Sequence, residues 1–316
     1  MSRTTIRRLV ASAAATSILF VAGCGVERAD TGGQKLTSGR AELPTPVDRP
    51  ENFEGTGGVI YLQQAAEATT EVDTMRSEVR MEMGGGPVSL DMFVTSEIDV
   101  ANDLTKTEMD MSDILGSFQM PESDDMPDLS GADLSLTMIQ DGDTVYLRSP
   151  LYQAMGATTK EWVSLDAAAM GADSPAGQQK DPQEFLKFLK NSGSDVTEEG
   201  EEELRGVPTT HLSTVLDLRT IMEEAPDEDK AEMEDALADL GEGFSEIPMD
   251  VWVDADGLVR KMVMVFDLSS SGDTDLGDAS ITLTMEMFDF GEPLDIEVPD
   301  AADVEAVDPA DLGMED

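Results

Sequence analysis

Few residues of this chain could carry covalent or acid–base chemistry. Its 316 residues include one cysteine and one histidine. His211 stands in a segment that alternates like a strand, where a lone histidine more often supports structure than catalyses. The sequence contains no Gly-x-Ser-x-Gly nucleophile elbow and no glycine-rich phosphate loop. A zinc site would have only one histidine and carboxylates as ligands, so we predict no enzyme, no metal and no cofactor.

Carboxylates are so abundant that pairs of them carry little information. The chain has 67 aspartates and glutamates, among which chance pairs resembling those of glycosidases are inevitable. The segment Asp254–Gly257 resembles the start of a calcium loop, but it lacks the further ligands such a loop needs. A hairpin turn explains this segment better.

The amino terminus has the order of a secretory signal. Three arginines and no acidic residue precede an apolar run over residues 9–22. This run is shorter than the about 20 residues that a membrane-spanning helix needs. A basic start, a short apolar centre and small residues at the exit predict a signal peptide over residues 1–23.

The residues at the carboxyl-terminal end of this apolar run, together with the two that follow it, resemble the lipobox of bacterial lipoproteins. These residues are Val21, Ala22, Gly23 and Cys24. The resemblance implies that a signal peptidase recognises the three residues before Cys24 and that the Cys24 sulfur carries a diacylglycerol. Two or three acyl chains attach a protein stably to a bilayer. We therefore predict a lipid anchor at the extracytoplasmic face of the cell membrane.

The charge of the chain excludes one class of partner. The formal net charge is −47, and removal of residues 1–23 with their three arginines would take it to −50. Such a field repels nucleic acid phosphates and anionic head groups, so we predict no nucleic acid partner. A high-salt habitat and a functional role remain alternative reasons for this acidity.

Composition divides the chain into four parts. Residues 24–57 are rich in Gly, Pro, Thr, Asp and Glu without a period, which predicts a flexible tether behind Cys24. A folded domain is predicted over residues 58–298, starting with a helix of about three turns. Residues 299–316 are predicted to be a frayed acidic tail.

Most of the domain alternates between apolar and polar residues, as strands with one buried face do. Strands are predicted near residues 78–83, 90–100, 104–111, 134–138, 145–147, 162–165, 207–215, 249–254, 258–268 and 281–287. Residues 112–131 and 167–179 are predicted loops, and further helices are predicted at 182–192, 221–224 and 228–240. The pattern is typical of an α+β domain with a mostly antiparallel sheet.

Four sequence segments resemble segments of a known protein family. They are Asp141–Arg148, Trp162–Leu165, Gly206–Leu212 and Pro248–Lys261. In this order behind a lipobox they resemble actinobacterial lipoproteins of the LppX/LprG kind, within the LolA-like superfamily. The resemblance implies a strongly curved antiparallel half-barrel, helices covering its concave face, and an apolar cavity that binds acylated lipids.

The apolar residues are unusual in kind. The chain has 20 methionines against 15 aromatic residues. A methionine-rich lining packs adaptably, whereas a tightly specified core uses side chains with fixed rotamers. The candidate ligand-binding residues are Met81, Met83, Leu90, Met92, Val94, Leu136, Met138, Met264, Met285 and Met287. Any single one of them could instead fill a core.

These features predict a monomeric lipoprotein without enzymatic activity. It would bind an acylated lipid or another hydrophobic ligand, and it could carry that ligand with the help of an envelope transport protein. The alternative is a sensor or interaction lipoprotein with a filled core, which binds a protein partner in the cell envelope.

Overall fold

A computed structural model describes most of the predicted domain. The described residues are 35–37, 40–53, 56–86, 89–112, 133–154, 156–167, 196–217, 246–268 and 279–308. The predicted signal peptide and Cys24 lie outside them, as do the helices predicted at 182–192, 221–224 and 228–240 and nearly all of the two predicted loops.

The described residues form two α-helices and fourteen strands. Helix α1 spans Thr56–Thr70 and α2 spans Pro150–Ala154. The strands are β1 Lys35–Thr37, β2 Thr74–Gly84, β3 Leu90–Asp99, β4 Leu104–Asp110, β5 Ser135–Asp141, β6 Thr144–Arg148, β7 Trp162–Asp166, β8 Thr197–Leu204, β9 Val207–Asp217, β10 Glu246–Asp254, β11 Val259–Asp267, β12 Ser280–Phe288, β13 Asp295–Glu297 and β14 Val304–Ala306. The predicted helix and all the predicted strands are therefore present, most of them longer than predicted.

Twelve of these strands form one open sheet. Their order is β14, β7, β6, β5, β4, β3, β2, β12, β11, β10, β9, β8. Neighbours run antiparallel except β14 and β7, which are parallel. A large, mostly antiparallel sheet with few helices among the described residues agrees with the coarse form of the predicted fold. Strands β1 and β13 pair separately.

Alternation along the strands separates two faces of the sheet. In β2, Met81 and Met83 are buried, while Arg80 and Glu82 between and beside them are exposed. Met81 lies opposite Met92 of β3, so these two side chains share one face. We call this apolar side of β2–β4 and β9–β12 the methionine face.

The opposite face changes character along the sheet. Over β2 and β3 it is charged: Arg80 donates to both carboxylate oxygens of Asp91, at 2.9 and 2.6 Å, and this hydrogen bonding lowers the pKa of Asp91. Over β4 and β5 it is apolar, because Leu104 and Ile139 form a buried cluster with Ile296 of β13. Strand β13 therefore lies as a second layer on that part of the sheet.

Residues 24–57 were predicted to be a tether, and several described residues among them form backbone hydrogen bonds with the domain. Lys35–Thr37 pairs with Asp295–Glu297 as a short antiparallel ladder. Farther along, the Ala41 amide donates to the Gly291 carbonyl at 2.9 Å. Backbone hydrogen bonds thus hold this segment to the domain, although its composition resembles that of a linker.

The same segment continues toward helix α1 with further contacts. The Val47 amide donates to the Asp256 carbonyl at 3.2 Å. Phe53 is buried against Tyr61 of α1, with ring centroids 5.4 Å apart in an edge-on arrangement. The stretch that remains as a predicted link to Cys24 is residues 25–34.

Strand β8 was not predicted as a strand. Its residues carry five glutamates and one leucine, so they lack apolar alternation. It forms the edge of the sheet beside β9, where charged side chains discourage pairing with another chain. Arg49 from the amino-terminal segment forms ion pairs with Glu198 and Glu201 of this strand.

The structure describes paired backbone beyond residue 299, where the acidic tail was predicted to start. Val304–Ala306 pairs in parallel with Trp162–Ser164 of β7. The Thr158 hydroxyl donates to the Glu305 carboxylate at 2.7 Å, which fixes this strand at the sheet edge. The domain therefore extends to at least residue 308.

Candidate functional site

The methionine face contains a straight row of long apolar side chains across five strands. Strand register places Met249, Met264, Leu283, Met81 and Met92 side by side, each opposite the next. The four methionines are buried, and Met92 is 1 % exposed. We call these five residues the first row.

A second row runs beside the first, two residues farther along each strand. Its members are Val251, Met262, Met285, Val79 and Val94, and the register continues to Met109 and Leu136. Together the two rows contain six neighbouring methionines. Met81 and Met92 lie on β2 and β3, and the other four lie on the adjacent strands β10–β12: Met249, Met262, Met264 and Met285.

The ten predicted ligand-binding residues all lie on this side of the sheet. Eight of them belong to one buried cluster. These eight are Met81, Met83, Leu90, Met92, Val94, Met264, Met285 and Met287. Leu136 and Met138 are only partly buried and pack in a separate cluster with Val145 and Leu147. The structure therefore brings eight of the ten together and places the other two on β5, two strands beyond β3.

The sequence prediction missed Met249 and Met262, which stand in the two rows next to the predicted Met264 and Met285, respectively. Their signal was present, because Met249 alternates with Val251, and Met262 alternates with Met264. Neither could be aligned with Met81 from the sequence, since cross-strand register is set by pairing over long distances along the chain.

Helix α1 belongs to the same buried cluster as the methionine face. Its buried side chains include Tyr61, Leu62, Ala65 and Ala68. Alanines lose no side-chain rotamers and allow a helix to approach a sheet closely. Burial raises the pKa of Tyr61, an effect that the Arg49 guanidinium partly offsets.

Hydroxyl groups on the methionine face differ in how they are satisfied. Ser96 and Thr107 lie opposite each other on β3 and β4, and their hydroxyl oxygens are 3.1 Å apart. Thr69 of α1 donates to the Ala65 carbonyl at 2.7 Å. Thr214, opposite Met249, is the one described residue whose buried side-chain polar atom has no hydrogen-bond partner.

His211 lies on the other face of the sheet. Its ring stacks on Trp252 with centroids 4.2 Å apart. Nε2 lies 2.8 Å from an Asp250 oxygen, and Nδ1 lies 3.2 Å from an oxygen of Glu202. The Trp252 indole also donates to Glu202, at 3.0 Å. These contacts orient the histidine ring away from the methionine face.

The segment that resembled a calcium loop forms a hairpin turn. One Asp254 oxygen accepts from the amides of Asp256 and Leu258 at 3.0 and 2.9 Å. The other accepts from Arg260 Nε at 2.6 Å. Both oxygens of this buried carboxylate are thereby engaged within the turn. Across the described ranges, no group of three or more His, Cys, Asp or Glu side chains could hold a metal ion.

Three carboxylates meet where the β3–β4 and β5–β6 turns lie side by side. Asp103 has a left-handed backbone with φ of 53°. Burial raises the pKa of Asp103, and the charges of Asp141 and Asp143 raise it further. The Gly142 amide donates to the Asp103 carbonyl at 3.0 Å and holds the two turns together.

The helices α1 and α2 do not reach the length and apolarity that a bilayer crossing demands, and the same holds for every other helix in the described part.

Comparison with known proteins gives limited sequence similarity. No family model matches the chain. An uncharacterized 31.2 kDa protein of Streptomyces griseus, from the rplA-rplJ intergenic region, is 29% identical over 161 residues. That match covers 48% of this chain and 50% of the other protein, so it spans about half the length of the relative.

Solved structures with a similar chain path are more numerous. LprF from Mycobacterium bovis is 12% identical with a TM-score of 0.45, over 79% of this chain and 99% of that one. The Mycobacterium tuberculosis lipoprotein LppX is 15% identical with a TM-score of 0.39, over 75% and 96%. The chain is similar to LppX/LprG-type lipoproteins.

A third structure extends this comparison to the wider group. A LolA superfamily protein from Nitrosomonas europaea is 7% identical with a TM-score of 0.26, over 78% of this chain and 96% of that one. The order of the four sequence segments between Asp141 and Lys261 resembles the order in the same group of lipoproteins.

Proposed function

We propose that this protein is a lipid-anchored, extracytoplasmic lipoprotein that binds an acylated lipid or a similar hydrophobic ligand on its methionine face. The observation that carries the proposal is the pair of adjacent rows in which six buried methionines lie side by side on β10, β11, β12, β2 and β3. A site of this kind binds without catalysing a reaction.

The choice of side chain supports binding over simple packing. Methionine has three rotatable bonds and a polarizable sulfur, so a layer of methionines can move aside and repack around an inserted chain. Leucine and isoleucine at the same positions would fill the space in fewer rotamers. Adaptable packing fits a ligand whose chain length varies.

The free energy of burial favours a long chain. Burial of each methylene contributes about 0.8 kcal/mol, so a chain of about 16 carbons gains roughly 13 kcal/mol and one of about 8 carbons roughly 6 kcal/mol. Association costs about 4–15 kcal/mol in lost freedom and ordering, a cost that the longer chain offsets more fully. The proposed ligand is therefore a long-chain compound.

The proposed anchor would keep this domain within a short distance of the membrane. Residues 25–34 lie between Cys24 and the first described strand. A flexible link of that length has an r.m.s. span on the order of 17 Å. The domain would thus stay close to the bilayer, although the charge of −50 that remains without residues 1–23 repels anionic head groups. Ligand would reach it from that bilayer or from an envelope transport protein.

Native mass spectrometry tests the proposal. The full chain is extracted from membranes in mild detergent and its mass is measured before and after stripping of bound lipid. We expect a noncovalent adduct with the mass of a long-chain acylated lipid, together with a covalent diacylglycerol on Cys24. A protein that carries no adduct but holds a tight protein partner would contradict the ligand-binding proposal and favour the sensor alternative.

The variant Cys24→Ser separates the anchor from the ligand. We expect it to lose the covalent lipid, while it keeps the noncovalent adduct. If the measured mass of Cys24→Ser still includes a covalent diacylglycerol, the proposed anchor is wrong.

A further inference from the structure

Thr214 is a polar residue in a wholly apolar setting. It stands on β9 between Leu212 and Leu216, whose side chains point to the same face and are buried. Its neighbour across the ladder is Met249, the first member of the first row. Thr214 is 7 % exposed, and its hydroxyl has no hydrogen-bond partner among the residues that the structure describes.

A hydroxyl in this state costs stability. Leaving a buried donor unsatisfied costs about 1–3 kcal/mol, and replacement by an apolar group of the same shape removes that cost. Valine has nearly the shape of threonine, so packing alone would favour valine here. Other hydroxyls in the same layer are paired, as Ser96 is with Thr107 and Thr69 is with the Ala65 carbonyl. The described residues therefore supply no acceptor for this donor.

We propose that the Thr214 hydroxyl donates a hydrogen bond to the acyl carbonyl oxygen of the ligand, whose hydrocarbon chain lies along the first row. This assignment rests on the proposed function and names the orientation and the class of its ligand. The carbonyl end lies at β9, and the methyl end points toward Met92 on β3. A ligand without a carbonyl loses this hydrogen bond.

Strand spacing gives the length of chain that fits. From Thr214 on β9 to Met92 on β3 the register crosses five inter-strand steps. At about 4.8 Å per step this distance is about 24 Å, the extended length of a hydrocarbon chain on the order of 16–20 carbons. This length agrees with the long chain that the burial free energy favours.

Electrostatics selects a neutral acyl group. A free fatty acid would place a carboxylate in the apolar surroundings of Thr214, where an unpaired charge is strongly disfavoured. The described residues nearest in the ladder and along the strand supply no cation, since they are Met249, Leu212 and Leu216. An ester is neutral and still offers a carbonyl oxygen. The ligand class is therefore a long-chain acyl ester.

A matched pair of probes tests the hydrogen bond. 1-Palmitoylglycerol and 1-O-hexadecylglycerol share a chain length and a head group, but only the ester has a carbonyl. Dissociation constants are measured by calorimetry on the full chain carrying Cys24→Ser, with each probe below its micellar concentration. We expect the ester to bind about 2–10 times more tightly, the range for one net hydrogen bond.

Three variants at this position complete the design. Thr214→Val removes the hydroxyl and should bring the ester-to-ether ratio to about one while it raises the melting temperature of the unliganded protein. Thr214→Ala serves the same purpose if the valine variant does not fold. Thr214→Ser keeps a hydroxyl and should keep the preference for the ester.

The outcomes separate this inference from the proposed function. If neither probe binds, the proposed function fails and the inference fails with it. If both probes bind the unaltered residue equally, or if Thr214→Val keeps the ester preference, the methionine face still binds long chains but the Thr214 assignment is wrong.

Discussion

The Thr69 hydroxyl accepts a 2.9 Å hydrogen bond from the backbone amide of Val259. Thr69 lies in the last turn of α1, and Val259 is the first residue of β11. Both residues are buried, so this bond fixes the end of the helix to the sheet at a place that water does not reach. It thereby sets how α1 lies against the methionine face.

Replacement of Thr69 by valine tests this attachment. Thr69→Val keeps the shape of the side chain but leaves the Val259 amide without an acceptor, which should lower the free energy of unfolding by about 1–3 kcal/mol. Urea denaturation gives the measurement. Thr70→Val is the control, because Thr70 is exposed and should change stability by less than about 0.5 kcal/mol. Equal effects of the two substitutions would contradict the role assigned to Thr69.

The faces of the strands could be predicted from the sequence, and their register could not. Alternation alone placed Met81, Met264 and Met285 on a buried face, and the structure agrees. That Met249 stands beside Met264 in one row follows from pairing of β10 with β11, and its link to Met81 passes through β12. Such pairings depend on contacts far apart in sequence, which local periodicity does not report.

Segments without apolar alternation were the ones the sequence prediction missed. Strand β8 is mostly glutamate, and β1 and β14 have three residues each. Backbone hydrogen bonds hold these segments in place. Because backbone donors and acceptors are nearly the same for every residue type, this pairing leaves no pattern in the sequence. The unpaired hydroxyl of Thr214 was hidden for a related reason, since threonine is common in strands and its partners appear only in three dimensions.

Gly257 tests whether the amino-terminal segment is part of the folded domain. A Cβ at Gly257 would overlap the Val47 side chain, and its φ is +80°. Gly257→Ala should therefore lower the free energy of unfolding, because it adds both a side-chain overlap and left-handed backbone strain. Trypsin should also cleave the Arg40–Ala41 bond of the amino-terminal segment faster. Gly206→Ala is the matched control, since φ is +82° there but no atom lies within 4 Å of the added Cβ.

The difference between these glycine variants isolates the contact. Gly206→Ala should cost about 1–2 kcal/mol from left-handed backbone strain alone. Gly257→Ala should cost at least about 1 kcal/mol more, because a well-packed contact must separate. If the two variants lose the same stability and trypsin cleaves the Arg40–Ala41 bond at the same rate in both, then Val47 does not hold the segment to the hairpin.

Asp103 gives the protein a defined dependence on pH. Burial and the neighbouring Asp141 and Asp143 raise the pKa of Asp103 above its ordinary value of 3.8. Protonation is then more favourable in the folded chain than in the unfolded one, so this carboxyl stabilises the fold at pH below about 4 and loses that effect as pH rises through the raised pKa. Asp103→Asn should therefore be more stable than the unaltered chain at pH 7.

Urea denaturation at two pH values checks this sign. The gain at pH 7 should be about 0.2–1 kcal/mol and should shrink in high salt, as for partly exposed charges. It should vanish near pH 3, where the carboxyl is neutral. Asparagine tolerates the left-handed backbone at this position. Glu67→Gln on the exposed side of α1 removes the same charge elsewhere, and an equal gain from it would assign the effect to net charge alone.

Because four of the five residues of the first row are methionines, we expect the site to bind ligands with acyl chains of different lengths. Met81→Leu with Met264→Leu should change stability by less than about 1.5 kcal/mol for each substitution, because the volumes are similar. The rotamers of leucine are fewer, so the site should bind a narrower range of monoacylglycerols within a series from about 12 to about 20 carbons. Dissociation constants measured across that series give the range. Met75→Leu alters a buried methionine outside both rows and should leave the range of bound chain lengths unchanged. If Met75→Leu narrows this range as much as the double variant does, then the flexibility of the whole core, and not the first row, determines which chain lengths bind.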